Sequence, residues 1–250
     1  MTDTIPEVTV DEKEECIRFR GKYISKVKRV FEILRDTPEN ERKYKLVKII
    51  GFESLNDLEN YDKYYHPQKG DIVLDAGAHV GVTVQRFSEM VGDKGLVLAV
   101  EPDFRAIGML THNVADLNNV KILPYALWDD KDVLAFHYFD ASGGVGMGSM
   151  LYQFQYWCPV RAITFDELLK THDIKKVDFI KMDIEGSEIH ALEGMSETLK
   201  HIKGAAIAAY HKIDNDGTKS YPRVIEILEE AGLKTKLEMG CDGEIVYAFR

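Results

Sequence analysis

A chain of 250 residues, 45% hydrophobic and 30% charged, has the length and composition of a soluble α/β domain with a complete core and a small appendage. A formal net charge of -10 and a pI near 5.3 argue against a general nucleic-acid binder held by counterion release. Cys16, Cys158 and Cys241 are scattered, odd in number and without CxxC spacing, so neither a disulfide framework nor a zinc site is suggested, and a reducing cytoplasm fits. The N-terminus is acidic where a signal peptide needs a positive start, and no apolar stretch approaches membrane-spanning length, so no membrane insertion is expected.

Residues 1–66 read as a helical extension. Ile17, Ile24, Val27, Val30, Phe31 and Leu34 fall at helical spacing, and Pro38 starts a second run through Leu46, Val47 and Ile50. From Ile17 to Ile50 eleven Lys or Arg stand against four acids, a net of +7 within an acidic chain. Such a stretch is a solvated helical face, a recognition surface for an anionic acceptor, or a contact through which the chain forms a homo-oligomer. The tyrosine-rich NYDKYYHPQKGD reads as a linker into residues 67–250, with Pro67 and Gly70 as breakers.

From Asp71 onward strands and helices alternate. Strand-like runs stand at 72–78, 96–102, 120–127, 177–184 and 204–211, and helical runs at 82–91, 104–116, 164–171, 188–200 and 221–231. Apolar strands joined by helices predict a parallel sheet covered on both faces. VLAFHYF and CPVRAI predict an inserted hairpin carrying the glycine-rich loop SGGVGMG. After Gly232, LKTKLEMG and EIVYAFR flank CDG, a hairpin turn signal, so one closing strand must be antiparallel. A mostly parallel sheet of about seven strands with an antiparallel C-terminal hairpin differs from the all-parallel dinucleotide-binding sheet.

DIVLDAGAHVG, from Asp71 to Gly81, sets Asp75-x-Gly77-x-x-x-Gly81 where a dinucleotide fold has GxGxxG. Asp75 takes the first glycine's place and would oppose a pyrophosphate. A carboxylate there suits a ligand carrying an ammonium and a sulfonium, which describes S-adenosylmethionine. Gly77 lets the backbone approach the ligand, and Gly81 lets the following helix pack close to the strand. The GK[ST] ending of a P-loop is missing. Glu101, which closes the second strand before Pro102, can accept both hydroxyls of a ribose.

DIVLDAGAHVGVT, LVLAVEPD, NVKILPYALWD, ITFDELL and above all VDFIKMDIEGSEIHALEGM resemble the FkbM family of S-adenosylmethionine-dependent methyltransferases, in order from about Tyr65 to Arg250. The resemblance implies the Rossmann-like class I methyltransferase fold, with S-adenosyl-L-methionine as donor and S-adenosyl-L-homocysteine as product. It also implies O-methylation of a hydroxyl on a sugar or another small molecule, and an adenine bordered by Ala126, Leu127 and Trp128. Two departures stand out. His79 occupies a position where the family usually has Asn, and Ala209, Tyr210 and His211 stand where it commonly has Glu-x-His.

Ligands of open α/β sheets lie at the carboxyl ends of the strands, which selects Asp75 to Gly81, with Ala78 and His79 among them, Glu101 with Pro102, Ala126 to Trp128, Asp183 and His211. Methyl transfer is an in-line displacement in which the acceptor oxygen loses a proton. Asp183 either orients and deprotonates the hydroxyl or caps the helix that follows it. Glu185 is a weaker acceptor-side candidate, Ser187 is the expected cap of the helix from 188, and His211 is either the base near neutral pH or a structural residue. Tyr64 and Tyr65 could stack on an acceptor ring beneath a glycine-rich lid. A divalent metal held by Asp183, His211, Asp214 and Asn215 is weighed against a plain surface turn, and the turn is the adopted reading. The alternatives are an RNA 2′-O-methyltransferase, to which Lys181 would contribute, a non-catalytic S-adenosylmethionine-binding module acting through partners, and a more distant NAD-dependent dehydrogenase.

Overall fold

A computed structural model describes residues 8–11, 16–19, 22–26, 38, 61–141, 144–213, 217–240 and 243–250 of the protein. Its first elements correct an expectation. β1 (Val8–Asp11), β2 (Cys16–Phe19) and β3 (Lys22–Lys26) form an antiparallel three-stranded sheet where a helix was expected. The seven-residue interval between Ile17 and Ile24, which fits helical spacing, spans a hairpin: Ile17 pairs with Ser25 and Phe19 with Lys22. The rest of the expected helices, from Val27 to Ile50, lies outside the described residues apart from Pro38, as does the surface they were to offer a second subunit.

The apolar runs become the strands of one central sheet because their burial leaves every backbone group to be paired by a neighbouring strand. β4 (Ile72–Ala76), β5 (Leu96–Val100) and β6 (Val120–Leu123) lie side by side and parallel. The segment 120–127, expected as one strand, is split. Pro124 has no N–H to continue the ladder, and β7 (Ala126–Leu127) joins a second sheet instead. That sheet, in the order β7-β10-β8-β9, contains β8 (Asp132–Ala141), β9 (Gly144–Ser149) and β10 (Tyr156–Ile163). The stretch expected as a glycine-rich lid therefore lies largely within β9, and Ser142 and Gly143 lie outside the described residues. Gly148 is required by a close approach, since a Cβ there would sit 2.2 Å from the Phe136 ring.

β11 (Phe179–Met182) and β12 (Gly204–Ala208) complete the parallel core, followed by β13 (Lys234–Met239) and β14 (Glu244–Phe249). The order is β13-β14-β12-β11-β4-β5-β6, with β14 antiparallel to both neighbours, which is the expected seven-stranded sheet with its C-terminal hairpin.

Helices cover both faces. α1 (Val82–Val91) and α2 (Phe104–Asn113) bury Val84, Phe87, Val91 and Leu110 on one face. α3 (Phe165–Thr171), α4 (Glu188–Glu193) and α5 (Tyr221–Glu230) bury Leu168, Leu192, Val224 and Leu228 on the other. The expected helix 188–200 ends at Glu193, where a Cβ on Gly194 would meet the Trp128 carbonyl at 2.0 Å, and resumes as a 3-10 turn at Thr198–Lys200. No helix among the described residues is long and apolar enough to cross a membrane.

The expected linker is a strap across the sheet. Tyr64 stacks on Phe249, with centroids 5.5 Å apart, and Tyr65 on Phe179 at 5.8 Å, while the Tyr65 hydroxyl donates to Asp71 at 2.7 Å. Phe179 opens β11 and Phe249 pairs with Gly204 at the start of β12, so Tyr65 lies at the end of the strands opposite Asp183. Tyr64 and Tyr65, expected at the acceptor mouth, are thus packing residues on the α1 and α2 face. Asp62 holds the strap to α1 through Arg86, at 3.0 and 3.1 Å.

Candidate functional site

Asp75 and Lys181 are neighbours in register on β4 and β11, and both are buried. The Lys181 ammonium lies 3.0 Å from Asp75 Oδ1 and donates to the carbonyls of Gly77 at 2.9 Å and Ala76 at 3.4 Å. The Thr83 hydroxyl donates to Asp75 Oδ2. The carboxylate expected to face a ligand's positive charge is fully buried and meets this internal cation. Lys181 is likewise taken up beneath the turn rather than aimed at an acceptor. A lysine inside a buried apolar strand needs an internal acid, and that was the available sequence signal.

The turn after β4 is shaped by two left-handed glycines. Gly77 (φ +76°) brings the chain against the next strand's end, where a Cβ would fall 1.9 Å from the Asp183 carbonyl oxygen. Gly81 (φ +91°) lets the turn meet Leu110 of α2, 2.6 Å from where a Cβ would stand. Both close approaches are to protein, where one to a ligand and one to the strand were expected. Gly77 and Ala78 donate their N–H groups to the Val100 carbonyl at 3.0 and 3.1 Å, which ties the turn to β5.

Glu101 stands at the end of β5, buried, with each oxygen fixed by one backbone donor. His79 N–H donates to Oε2 and Asp103 N–H to Oε1, both at 2.8 Å. Pro102, having no N–H, leaves Asp103 to make the second bond. Burial outweighs these two hydrogen bonds and pushes the Glu101 carboxyl up to about 7. His79 adopts φ +47°, and its backbone is what reaches the acid. Ala126 and Leu127 are buried in β7, while the Trp128 ring stacks on the His190 imidazole with centroids 3.8 Å apart and 15° between planes. Asp129 fixes His190 at 2.6 Å, so one face of the indole is occupied by protein.

The other half of the site gathers around His211, whose side chain is 4% exposed. Its Nδ1 lies 2.9 Å from Glu188 Oε1, and its Nε2 lies 3.2 Å from Glu185 Oε2 and 3.7 Å from Asp183 Oδ1. Burial alone would lower its pKa, but the close carboxylates of Glu185 and Glu188, with the charge of Asp183, push it up to about 11. A histidine expected as a neutral base is therefore an imidazolium among acids. Glu188, fully buried, accepts N–H bonds from Gly186 at 3.1 Å and Ile184 at 3.4 Å, whereas Ser187, the expected cap, occupies the cap position without a side-chain bond. Glu185 (φ +54°) and Gly186 (φ +102°) form the left-handed turn that aims these groups.

Three further contacts escaped sequence reasoning. The Tyr61 hydroxyl, at the start of the strap, donates to Asp183 Oδ2 at 3.2 Å. Ser149, at the end of β9, donates to the Glu185 carbonyl at 2.7 Å, and Tyr152 donates to the Lys212 carbonyl at 2.6 Å, so the inserted sheet clasps the turn from above. Asp214 and Asn215 lie outside the described residues.

The site thus places a glycine turn and the buried Glu101 beside a carboxylate cluster, at the carboxyl ends of the inner parallel strands. A methyltransferase FkbM domain model matches residues 75–234. The chain is 24% identical over 173 residues to hexuronic acid methyltransferase AglP of Haloferax volcanii, a match covering 68% of this chain and 66% of that protein. It is 21% identical over 190 residues to 2-O-methyltransferase NoeI of Sinorhizobium fredii, covering 70% and 78%. Its fold is similar to that of Aeropyrum pernix fibrillarin in complex with natively bound S-adenosyl-L-methionine, with a TM-score of 0.50 at 17% identity over 78% of this chain and 73% of that one. Since the domain match runs from the Asp75 turn through the His211 cluster and fills well over half the chain, the protein belongs to the FkbM family of S-adenosylmethionine-dependent methyltransferases.

Proposed function

We propose that the protein O-methylates a hydroxyl of a sugar-type small molecule, with Asp183 receiving the hydroxyl's hydrogen bond and proton. One observation carries this reading. Gly77 packs against the Asp183 carbonyl, which fixes a half-exposed carboxylate directly beside the cofactor turn. The activities named for the two relatives, on a hexuronic acid and at a 2-O position, support a sugar-type acceptor.

The residues at the turn fit S-adenosylmethionine. Each Glu101 oxygen receives one backbone N–H and retains acceptor capacity, and a buried carboxylate gains from further donors, which a ribose diol supplies. When bound, the cofactor supplies a methyl group on a positively charged sulfur. Asp183 then orients the acceptor oxygen and takes its proton at Oδ2, the oxygen that the Tyr61 hydroxyl also holds, while Oδ1 is buried, and His211 acts as a positioning residue that holds the acids in place.

Glu101 makes this testable by pH. Its folded pKa is raised from 4.5 to about 7, so the stability it contributes is fully present below the unfolded value and is lost as pH rises through about 7. Thermal denaturation of the native protein should show that loss, and Glu101→Gln should flatten it. The same variant should weaken S-adenosylhomocysteine binding by about tenfold or more in calorimetry, since one backbone N–H loses its acceptor and the ribose loses a charged partner. Unchanged affinity would remove Glu101 from the cofactor site.

The acceptor class is tested with labelled S-adenosylmethionine and a panel of neutral and uronic-acid glycosides. An alkali-stable methyl ether in the product supports the reading. An alkali-labile methyl ester, or cofactor binding without transfer to any glycoside, overturns it.

A further inference from the structure

We propose that Asp183 Oδ1, Glu185 Oε2 and His211 Nε2 form a divalent-cation site, of the Mg²⁺ or Mn²⁺ class, that takes two adjacent oxygens of the acceptor. The three donor atoms all lie within 4.8 Å of one another, and Nε2 stands 3.2 and 3.7 Å from the two carboxylate oxygens. An octahedral ion with bonds of about 2.1 Å sets neighbouring ligands about 3.0 Å apart and opposite ones about 4.2 Å apart. His211 Nε2 thus stands near neighbouring-ligand distance from Glu185 Oε2, and the set closes around one ion if the Asp183 side draws in.

Polar balance points the same way. Asp183 Oδ2 takes the Tyr61 hydroxyl, but the buried Oδ1 has no hydrogen-bond donor. His211 Nε2, also buried, is close to Glu185 without hydrogen-bond alignment. Three carboxylates, Asp183, Glu185 and Glu188, face one imidazole, and among the described residues no lysine or arginine pairs with any of them. A divalent ion takes the place of the Nε2 proton, which leaves to solvent, and supplies the missing positive charge.

The surroundings are built as metal sites are. Glu188, fixed by two backbone N–H groups, lies 2.9 Å from His211 Nδ1 and orients the ring so that Nε2 faces the cluster. The protein side is closed, with His211 4% and Glu188 0% exposed, while Asp183 and Glu185 are 30% and 24% exposed and open one side to solvent. An ion held by three protein atoms keeps coordination positions on that side for the acceptor. A vicinal diol, or a hydroxyl beside a carboxylate, fills two of them, and the bound hydroxyl passes its proton more readily to Asp183 Oδ2. The other candidate group, Asp129, His190 and Glu193, lacks this construction. His190 is bonded to Asp129 and stacked on Trp128, and Glu193 is engaged by Arg223.

The geometry of the ion site stands by itself, and its use in catalysis rests on the acceptor reading above. The test is titration of Mn²⁺ into the chelator-treated full-length protein without cofactor, following the free-ion signal by electron paramagnetic resonance. One Mn²⁺ per chain is expected, with affinity weakened about tenfold or more in Asp183→Asn, Glu185→Gln and His211→Ala and unchanged in Asp129→Asn. Circular dichroism checks that each variant is folded, and Glu185→Gln, at the exposed edge, decides if His211→Ala is not. Binding that survives in Asp183→Asn and Glu185→Gln, binding lost in Asp129→Asn, or none below about 1 mM overturns the site. Glycoside methylation that continues unchanged in chelator would overturn the ion and leave the acceptor reading standing. Mn²⁺ binding without glycoside methylation would do the reverse.

Discussion

Replacing Asp183 with Asn lowers methyl transfer by about 100-fold or more while S-adenosylhomocysteine binding stays within about twofold of the native value. The substitution keeps the shape of the side chain and removes its charge and basicity. Its backbone, which packs against Gly77 and donates to the Ala76 carbonyl at 3.1 Å, is untouched, so the cofactor turn keeps its form. Loss confined to turnover would separate acceptor chemistry from cofactor binding. The measurement is a pair: labelled-methyl transfer at saturating cofactor, and calorimetric titration with S-adenosylhomocysteine. Turnover within about tenfold of native would take the proton-accepting role away from Asp183. A parallel fall in affinity would instead place the carboxylate within the cofactor's own contacts.

The central sheet is legible in the sequence because burial on both faces leaves long apolar runs. What escapes are features decided by strand order. Asp75 reads as a ligand contact until β11 is placed beside β4, which sets Lys181 directly opposite it. His211 reads as a neutral base until the turn at Glu185 and the first residue of α4 bring two further acids to its ring. Pro124 divides a run whose residues otherwise alternate like one strand, and a single missing N–H sends the second half to another sheet. Tyr61, Tyr64 and Tyr65 carry no periodicity, so only their seat on the sheet shows that the first touches Asp183 while the last pins the opposite end.

The largest stability effect belongs to Lys181→Met. Asp75 is fully buried and in the native protein is balanced by the Lys181 ammonium at 3.0 Å, with the Thr83 hydroxyl on its other oxygen. Methionine fills a similar volume but leaves the carboxylate buried beside a single neutral donor, which costs about 3–5 kcal/mol when one partner of a buried pair is removed. The Gly77 and Ala76 carbonyls lose a donor as well, so the cofactor turn loosens and S-adenosylhomocysteine affinity falls with stability. Urea denaturation at constant slope measures the first effect and calorimetry the second. Adding Asp75→Asn to Lys181→Met should recover much of the lost stability, because the penalty comes from the stranded charge rather than from the missing attraction. A double variant no more stable than Lys181→Met would assign the loss to the turn's carbonyls instead. In that case Lys181 acts chiefly as the hydrogen-bond donor that shapes the turn after β4, and Asp75 as the partner that holds its ammonium in place.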